Sequence, residues 1–466
     1  MKKTIVILGG GPCGISAAWE LAEKGFEVVV VEKESEVGGL CRTTDYKGFH
    51  FDLGGHRFIS KNQELIEKIL ALMGNELLIA HRKSVIKSAD KEFDYPLSLN
   101  NIIKNMPVAT ILRCLTDYLK SSIVGRIFTQ SDASFEQWVV NRYGQKLYEL
   151  FFKFYTEKLW GVPPSEISSD WAAERISLLN LWDAIVRLFY PPEAEKDSPR
   201  TYTKMFYYPK NGIGQIFTSM AEEIKKSGGN IILNANLEKV ITEDNEVKSV
   251  SICRDGKTIV IDCDFVISTI PLTDLASCLY PFAQESIIMD SACKLKFRSL
   301  RFMNILIDMQ DISENTWMYV PDRRYIMTRI QEPRRRSSFN APQGKTSLIL
   351  EIPCNFGDDI WNGAECDIYS RCLEDLASMG IHINGMVIDY FSTWAKNAYP
   401  VYSLDYKTHV NNVLDFIGRY GNVITCGRQG LFKYIFMDQA MEMGFTTAEV
   451  VMENLGRRVD NEVYPR

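Results

Sequence analysis

No uninterrupted apolar run in this 466-residue chain reaches the ~18 residues a membrane-spanning helix needs, so no stable insertion in a bilayer is expected. The eleven cysteines contain no CxxC pair and no Cys/His spacing that would hold zinc, which points to reduced thiols, a cytoplasmic protein and no metal. Long basic runs with interleaved aromatics are missing too; at a net charge of −6 this argues against a nucleic-acid partner. Arg334-Arg-Arg336 is a short exception and reads as a solvated loop. There is no internal repeat or low-complexity linker, and no His/Asp or paired-carboxylate constellation for acid–base work. What is present, 46% hydrophobic and 24% charged residues, suffices for a sizeable core divided into two or three lobes that form one unit.

The most informative stretch is the first. An apolar strand, Thr4-Ile-Val-Ile-Leu8, runs into Gly9-Gly-Gly-Pro-Cys-Gly14, then a helix over Ile15 to Lys24, a second strand Glu27 to Val31, and Glu32. This is the order of a dinucleotide-binding βαβ unit. Gly9 serves the sharp turn, Gly11 lets backbone approach a pyrophosphate, and Gly14 lets the helix pack closely on the sheet. The helix N-terminus directs its N–H groups at the phosphates, and Glu32, followed by Lys33, is placed to accept ribose hydroxyls and disfavour a 2′-phosphate. The stretch lacks a small-residue cleavage site and does not read as a signal peptide.

Glu36-Val-Gly-Gly-Leu-Cys-Arg-Thr43 resembles the second glycine signature of FAD-binding proteins of the glutathione-reductase-like superfamily. That resemblance implies FAD contacts from Gly39, Leu40 and Arg42, with Arg42 along the diphosphate. Asp52-Leu-Gly-Gly-His-Arg57 is a third glycine-rich turn, in which Gly55 would let backbone approach the isoalloxazine ring and His56 would tune the flavin or brace the loop.

The expected fold is α/β: a Rossmann-like, glutathione-reductase-like FAD-binding domain with a helical insertion and a mixed β-sheet substrate domain. The FAD domain is expected in three segments, 1–93, 206–271 and 415–466, around a mostly helical cap at 94–205 and a mixed sheet at 272–414. Within these, 230–236, 302–308, 324–330 and 346–352 read as strands, and Asp255-Gly256 as a hairpin turn. The stretch 97–128 is apolar at helical spacing and reads as packed helices, with attachment to a membrane surface as the alternative. Residues 176–199 are a candidate lid.

Three separated segments resemble UDP-galactopyranose mutases, flavoenzymes that interconvert the pyranose and furanose forms of a sugar bound to UDP. They are Phe151-Phe-Lys-Phe-Tyr-Thr-Glu-Lys-Leu-Trp-Gly161, Met327-Thr-Arg-Ile-Gln-Glu332 and Cys426-Gly-Arg-Gln-Gly-Leu-Phe-Lys-Tyr-Ile-Phe-Met-Asp438. The resemblance implies that Phe152, Tyr155 and Trp160 line the nucleotide and sugar pocket, although aromatics on a helix also serve as core. It further implies that Arg329, Arg175 and Tyr434 grip the diphosphate and hold the leaving-group charge, while Arg428 and Asp438 lie on the FAD side. The implied activity uses reduced FAD through a flavin N5–sugar adduct on a UDP-hexose, UDP-galactose first, in cell-surface polysaccharide biosynthesis. The implied partners are a reductant such as NAD(P)H or a reductase and, as in many mutases, a second copy of the chain. Phe436 stands where bacterial mutases carry an acidic residue. The same FAD signatures serve oxidases and desaturases of the amine oxidase, protoporphyrinogen oxidase and phytoene desaturase kind acting on apolar substrates, and a non-catalytic flavin-binding protein is a third reading.

Overall fold

A computed structural model describes residues 2–88, 91–95, 101, 104–127, 131–175, 205–280 and 286–463. At its centre is a five-stranded parallel sheet in the order Val423–Thr425, Phe265–Ser268, Thr4–Leu8, Glu27–Val31, Asn230–Ile232. Strands covered on both faces must be apolar throughout, and Ile5, Val6 and Ile7 are fully buried. On one face Ile5, Ile7, Val28 and Val30 meet the helices Pro12–Glu23, Gln215–Lys226 and Met437–Val463. On the other, Val6, Leu8, Val29 and Val31 meet Val240 and Val250 of a four-stranded sheet and Val413 and Phe416 of the helix Tyr406–Ile417.

The expected strand 230–236 is divided. Asn234 takes a left-handed backbone (φ 55°), so Asn230–Ile232 closes the parallel sheet and Ala235–Glu243 turns away to open the second one. The hairpin at Asp255-Gly256 joins Glu246–Arg254 to Lys257–Asp262 as expected.

A seven-stranded sheet carries the other half: Val387–Pro400, Phe297–Ile307, Thr346–Cys354, Arg329–Gln331, Trp317–Tyr319, Ser84–Ser88, Lys91–Asp94. Two expectations are corrected here. Ser84–Ser88 and all but the last residue of Lys91–Asp94 fall within the expected FAD segment 1–93 yet belong to this sheet, because Ser84–Ser88 pairs parallel with Trp317–Tyr319 and antiparallel with Lys91–Asp94. Within 324–330 only Arg329 and Ile330 are strand, opening Arg329–Gln331; Lys158 donates to the carbonyls of Val320, Asp322 and Met327, and Asp375 accepts from the N–H of Ile326, holding the preceding residues in a loop.

The segment 131–175 is helical, with Phe135–Tyr143 started by a Ser134/Gln137 capping box. The helix Val108–Ile127 packs on it, but the stripe Val108, Leu112, Leu115, Leu119 and Ile123 faces solvent, so the apolar stripe of this helix is not its packed side. No helix among the described residues is long and apolar enough to cross a membrane. The candidate lid at 176–199 lies outside the described residues.

Candidate active site

One cavity of about 720 Å³ runs from the C-terminal ends of the parallel strands, across the helical segment, to the seven-stranded sheet. Its first part is built by contiguous sequence. Gly9 has φ +100°, and an added Cβ there would lie 2.5 Å from Thr269 Oγ1. At Gly14 a Cβ would fall 2.0 Å from the carbonyl oxygen of Gly9, so the helix can start this close to the strand only with glycine. Gly11 and Gly39 face each other backbone to backbone: a Cβ on Gly39 would sit 3.0 Å from the Cα of Gly11. The result is a bare backbone cradle at the N-terminus of Pro12–Glu23, the arrangement a dinucleotide pyrophosphate requires.

Glu32 is buried and accepts the N–H of Gly10 (2.6 Å) and of Glu34 (2.9 Å). Burial raises its pKa while those two donors oppose the shift. Lys33 and Leu40 line the same part of the cavity. Arg42 is tied back to the Gly39 carbonyl (3.1 Å) and faces Glu34 (3.5 Å) at the cavity edge. Asp438, buried in the first turn of Met437–Val463, lines the cavity with its carboxylate at the positive end of that helix. These residues fit FAD.

At the third glycine turn the structure departs from expectation. The space beside Gly55 belongs to Arg329, whose Nη1 would lie 3.0 Å from a Cβ added there, so the glycine admits a guanidinium. His56 has both ring nitrogens engaged, Nε2–H on the carbonyl of Leu53 (3.0 Å) and Nδ1 facing the Cys41 thiol (3.6 Å). It braces the turn. Burial lowers its pKa to about 4, so the ring stays neutral in the fold. Because the folded value lies below the unfolded one of about 6.5, the associated stability is complete above pH ~6.5 and is lost as pH falls towards 4, up to about 3 kcal/mol. A His56→Gln variant is therefore expected to flatten the decline of the urea midpoint between pH 6.5 and 4; an unchanged slope would exclude a neutral buried ring.

Arg329 Nη2 pairs with Glu351 Oε1 at 2.6 Å, and Nε has no hydrogen-bond partner among the described residues. Burial opposes its charge, but Glu351 and the phenols of Tyr399 and Tyr319 outweigh that and hold its pKa well above the usual value. Behind it runs a buried chain. Gln331 donates to Glu351 (2.6 Å) and accepts from Arg336 (2.9 Å), and Arg336 faces Asp52 (3.6 Å). Asp52 accepts from Tyr208 (2.6 Å), Thr43 (2.7 Å) and the N–H of Ile213 (3.0 Å). The reading of 334–336 as a solvated loop fails for Arg336, whose side chain is wholly buried because Asp52 and the Gly54 carbonyl draw it beneath the turn.

The remaining wall is aromatic. Tyr434 lies 5.8 Å from Tyr399, nearly parallel, and edge-on to Trp171, with Arg428 over its ring at 4.1 Å. Arg428 also donates to the carbonyl of Ala398 (2.7 Å). Trp160 is 3% exposed, packed edge-on against Trp171 and Tyr399, so it serves core and cavity together. Phe152 stacks on Tyr143, and Tyr155 meets Tyr319 edge-on with its phenol pKa raised by burial. Arg175 ends the helix Ser169–Arg175, and its side chain lies outside what is described. Sequence reasoning missed Glu351 and Arg57. Glu351 is a lone charge in an apolar strand and Arg57 directly follows His56, so both signals were available. It also missed Arg82, Tyr319 and Tyr399, which carry none.

A parallel sheet with a backbone cradle at its carboxyl edge, joined to a mixed-sheet substrate wall, defines an FAD-dependent flavoprotein. Residues 12–452 match the flavin containing amine oxidoreductase family, and the chain belongs to it. It is 24% identical over 306 residues to the 4,4′-diapophytoene desaturase (4,4′-diapolycopene-forming) of Methylomonas sp., covering 56% of this chain and 54% of that one. It is 27% identical over 178 residues to a probable UDP-galactopyranose mutase of Klebsiella pneumoniae, covering 36% and 44%. The matched stretches thus span about half the length of these relatives. Among solved structures, reduced UDP-galactopyranose mutase superposes with a TM-score of 0.82 at 21% identity over 97% of this chain and 94% of that one, a likeness of fold.

Proposed function

We propose that this flavoprotein is a sugar-nucleotide mutase, interconverting pyranose and furanose forms of a UDP-hexose, UDP-galactose first. The observation that carries the reading is the placement of Arg329 against the Gly54-Gly55 turn, in the same cavity as Arg428, Tyr399 and Tyr434. An apolar substrate has no use for guanidinium groups there; a diphosphate leaving group does. The Klebsiella relative supports it.

Reduced FAD, when bound, supplies the nucleophile for the anomeric carbon. Arg329, oriented by Glu351, presents its remaining N–H groups to the departing diphosphate. Arg428 is pinned by the Ala398 carbonyl and the Tyr434 ring, and places a second positive charge in the cavity. Tyr155, Phe152 and Trp160 offer flat faces for a uracil ring and exclude water. No side chain is required to take a proton, in keeping with a neutral, fully engaged His56.

The test is a titration of FAD-loaded, dithionite-reduced protein with UDP and UDP-galactose, with chromatographic analysis for the furanose. Furanose formed only under reducing conditions supports the reading. No response to either ligand favours an oxidase or desaturase, the class to which the Methylomonas relative belongs. Arg329→Lys keeps a cation for Glu351 but removes the fork. It is expected to lower turnover by about two to four orders of magnitude, the scale of two charge-assisted hydrogen bonds of about 1.5–3 kcal/mol each, with FAD retained. Turnover within threefold of the native protein would remove Arg329 from the clamp.

A further inference from the structure

The helix Val108–Ile127 carries a surface that the cavity does not use. Val108, Leu112, Leu115, Leu119 and Ile123 recur every three or four residues, a spacing that sets them in one line along an α-helix. Each is between 38% and 66% exposed. At a rise of 1.5 Å per residue the line is about 22 Å long. Isolated exposed apolar side chains are ordinary, but five in one stripe leave a contiguous apolar patch in water.

The other side of the helix is fixed by packing. Gly144 has φ +85°, and a Cβ added there would lie 2.8 Å from the backbone of Asp117, so this turn of the helix is seated directly on the chain at Gly144. Asp117 accepts the N–H of Lys146 (3.1 Å), and Cys114, one turn earlier, is buried. At about 100° per residue, Cys114 and Asp117 fall on the side away from Leu112 and Leu119. The stripe cannot turn inward without undoing that seat.

Charge is divided in the same way. The charged residues of the helix are Arg113, Asp117, Lys120 and Arg126. The one carboxylate is turned inward on Lys146, whereas Arg113 and Lys120, seven residues apart and so on one flank of the stripe, are exposed. An apolar stripe with a basic flank and no exposed acid matches an anionic lipid surface: the leucines enter the acyl boundary while the basic side chains extend their heads to the phosphates. A second copy of the chain matches less well. An antiparallel two-fold contact would set the positive flank beside its own copy, with no carboxylate on the helix to answer it.

We propose that the stripe of Val108, Leu112, Leu115, Leu119 and Ile123 docks the protein on an anionic lipid bilayer, with the helix lying in the interface and not crossing it. The helix packs on Gln145–Leu147, just before Leu150, Phe151 and Phe152 of the cavity wall, so the docked segment and the helical wall of the cavity belong to one packed unit. The inference holds whichever reaction the flavin supports.

The experiment is co-sedimentation of the FAD-loaded protein with vesicles of phosphatidylcholine, with and without phosphatidylglycerol, alongside light scattering of the protein alone. The native protein is expected to partition onto the phosphatidylglycerol vesicles about tenfold or more strongly than onto the neutral ones, and less strongly as salt is raised. Leu112→Asn/Leu119→Asn is expected to weaken that partitioning about tenfold or more through loss of apolar burial. Arg113→Gln/Lys120→Gln is expected to remove most of the preference for phosphatidylglycerol. Both pairs of substitutions lie on the exposed side, so FAD content and the urea midpoint should stay at native values and show that the fold is intact. Absence of the protein from both vesicle pellets would overturn the proposal. If the native protein is then a dimer that Leu112→Asn/Leu119→Asn splits, the stripe is a contact between copies instead. Partitioning that survives the asparagine variant would also overturn it, since lipid would then be held elsewhere, and equal partitioning onto the two vesicle types would overturn the selection for anionic lipid.

Discussion

Gly14→Ala is expected to yield a protein that no longer retains FAD. The Cβ would lie 2.0 Å from the carbonyl oxygen of Gly9 and 3.1 Å from Thr269 Oγ1, and the first of these is backbone that cannot swing aside. Relief requires the helix Pro12–Glu23 to move off the strand Thr4–Leu8, which opens the cradle between Gly11 and Gly39 and draws the helix N-terminus away from the pyrophosphate. Overpacking of this kind costs about 3 kcal/mol or more, equivalent to about a hundredfold or more in cofactor affinity. The measurement is FAD content after purification and the dissociation constant from flavin fluorescence. Retention of FAD with less than a tenfold change would show that the cradle tolerates a side chain, contrary to the geometry. By contrast, Gly25 has open space around its Cβ position, so an alanine there meets no atom and only its left-handed backbone (φ +83°) resists.

Arg336→Met is expected to destabilise the FAD-loaded protein by about 3–5 kcal/mol, the usual consequence of deleting one partner of a buried ion pair. Arg336 and Asp52 both have fully buried side chains, and Arg336 also donates to Gln331 and to the Gly54 carbonyl. Its loss leaves the acceptor oxygen of Gln331 without this donor and deprives Asp52 of a nearby positive charge. Tyr208, Thr43 and the Ile213 N–H still serve Asp52, so the lower end of the range is the more natural outcome. Because Gln331 positions Glu351, and Glu351 positions Arg329, the same variant is expected to weaken binding of UDP. Equilibrium urea denaturation of the native protein, Arg336→Met and Arg336→Met/Asp52→Asn tests this. The double variant should recover part of the loss if the charge left behind is what costs stability. A single variant within 1 kcal/mol of the native protein would mean that Arg336 is dispensable beneath the turn.

These two residues also mark how far the chain was legible. Gly14 could be read because its partners, Gly9, Gly11 and the flanking strand and helix, follow one another in sequence, and steric logic at fixed spacing needs no tertiary information. Asn230–Asn236 was read as one strand because all seven residues tolerate extended backbone. The break at Asn234 comes from two sheets competing for the same segment, and a local pattern does not record that competition. Arg336 was misread for a related reason. Three consecutive arginines look solvated, yet Asp52, far away in sequence, faces the last of them, Arg336. The stripe on Val108–Ile127 was recognised as apolar, but which side of that helix meets Phe135–Tyr143 was decided by the packing.

The amino-acid sequence alone determined the cofactor cradle, the α/β class and the family, because these rest on contiguous glycine spacing and on runs of apolar residues with a fixed period. The tertiary structure decided which charges meet. Arg57, Arg82, Arg329 and Arg428 lie on four separate stretches of chain, and the pairing of Ser84–Ser88 with Trp317–Tyr319, of Arg329–Gln331 with Thr346–Cys354, and of Phe265–Ser268 with Val423–Thr425 brings them to one cavity. Electrostatic interaction depends on distance through space, and distance through space is set by long-range strand pairing, which no window of sequence contains.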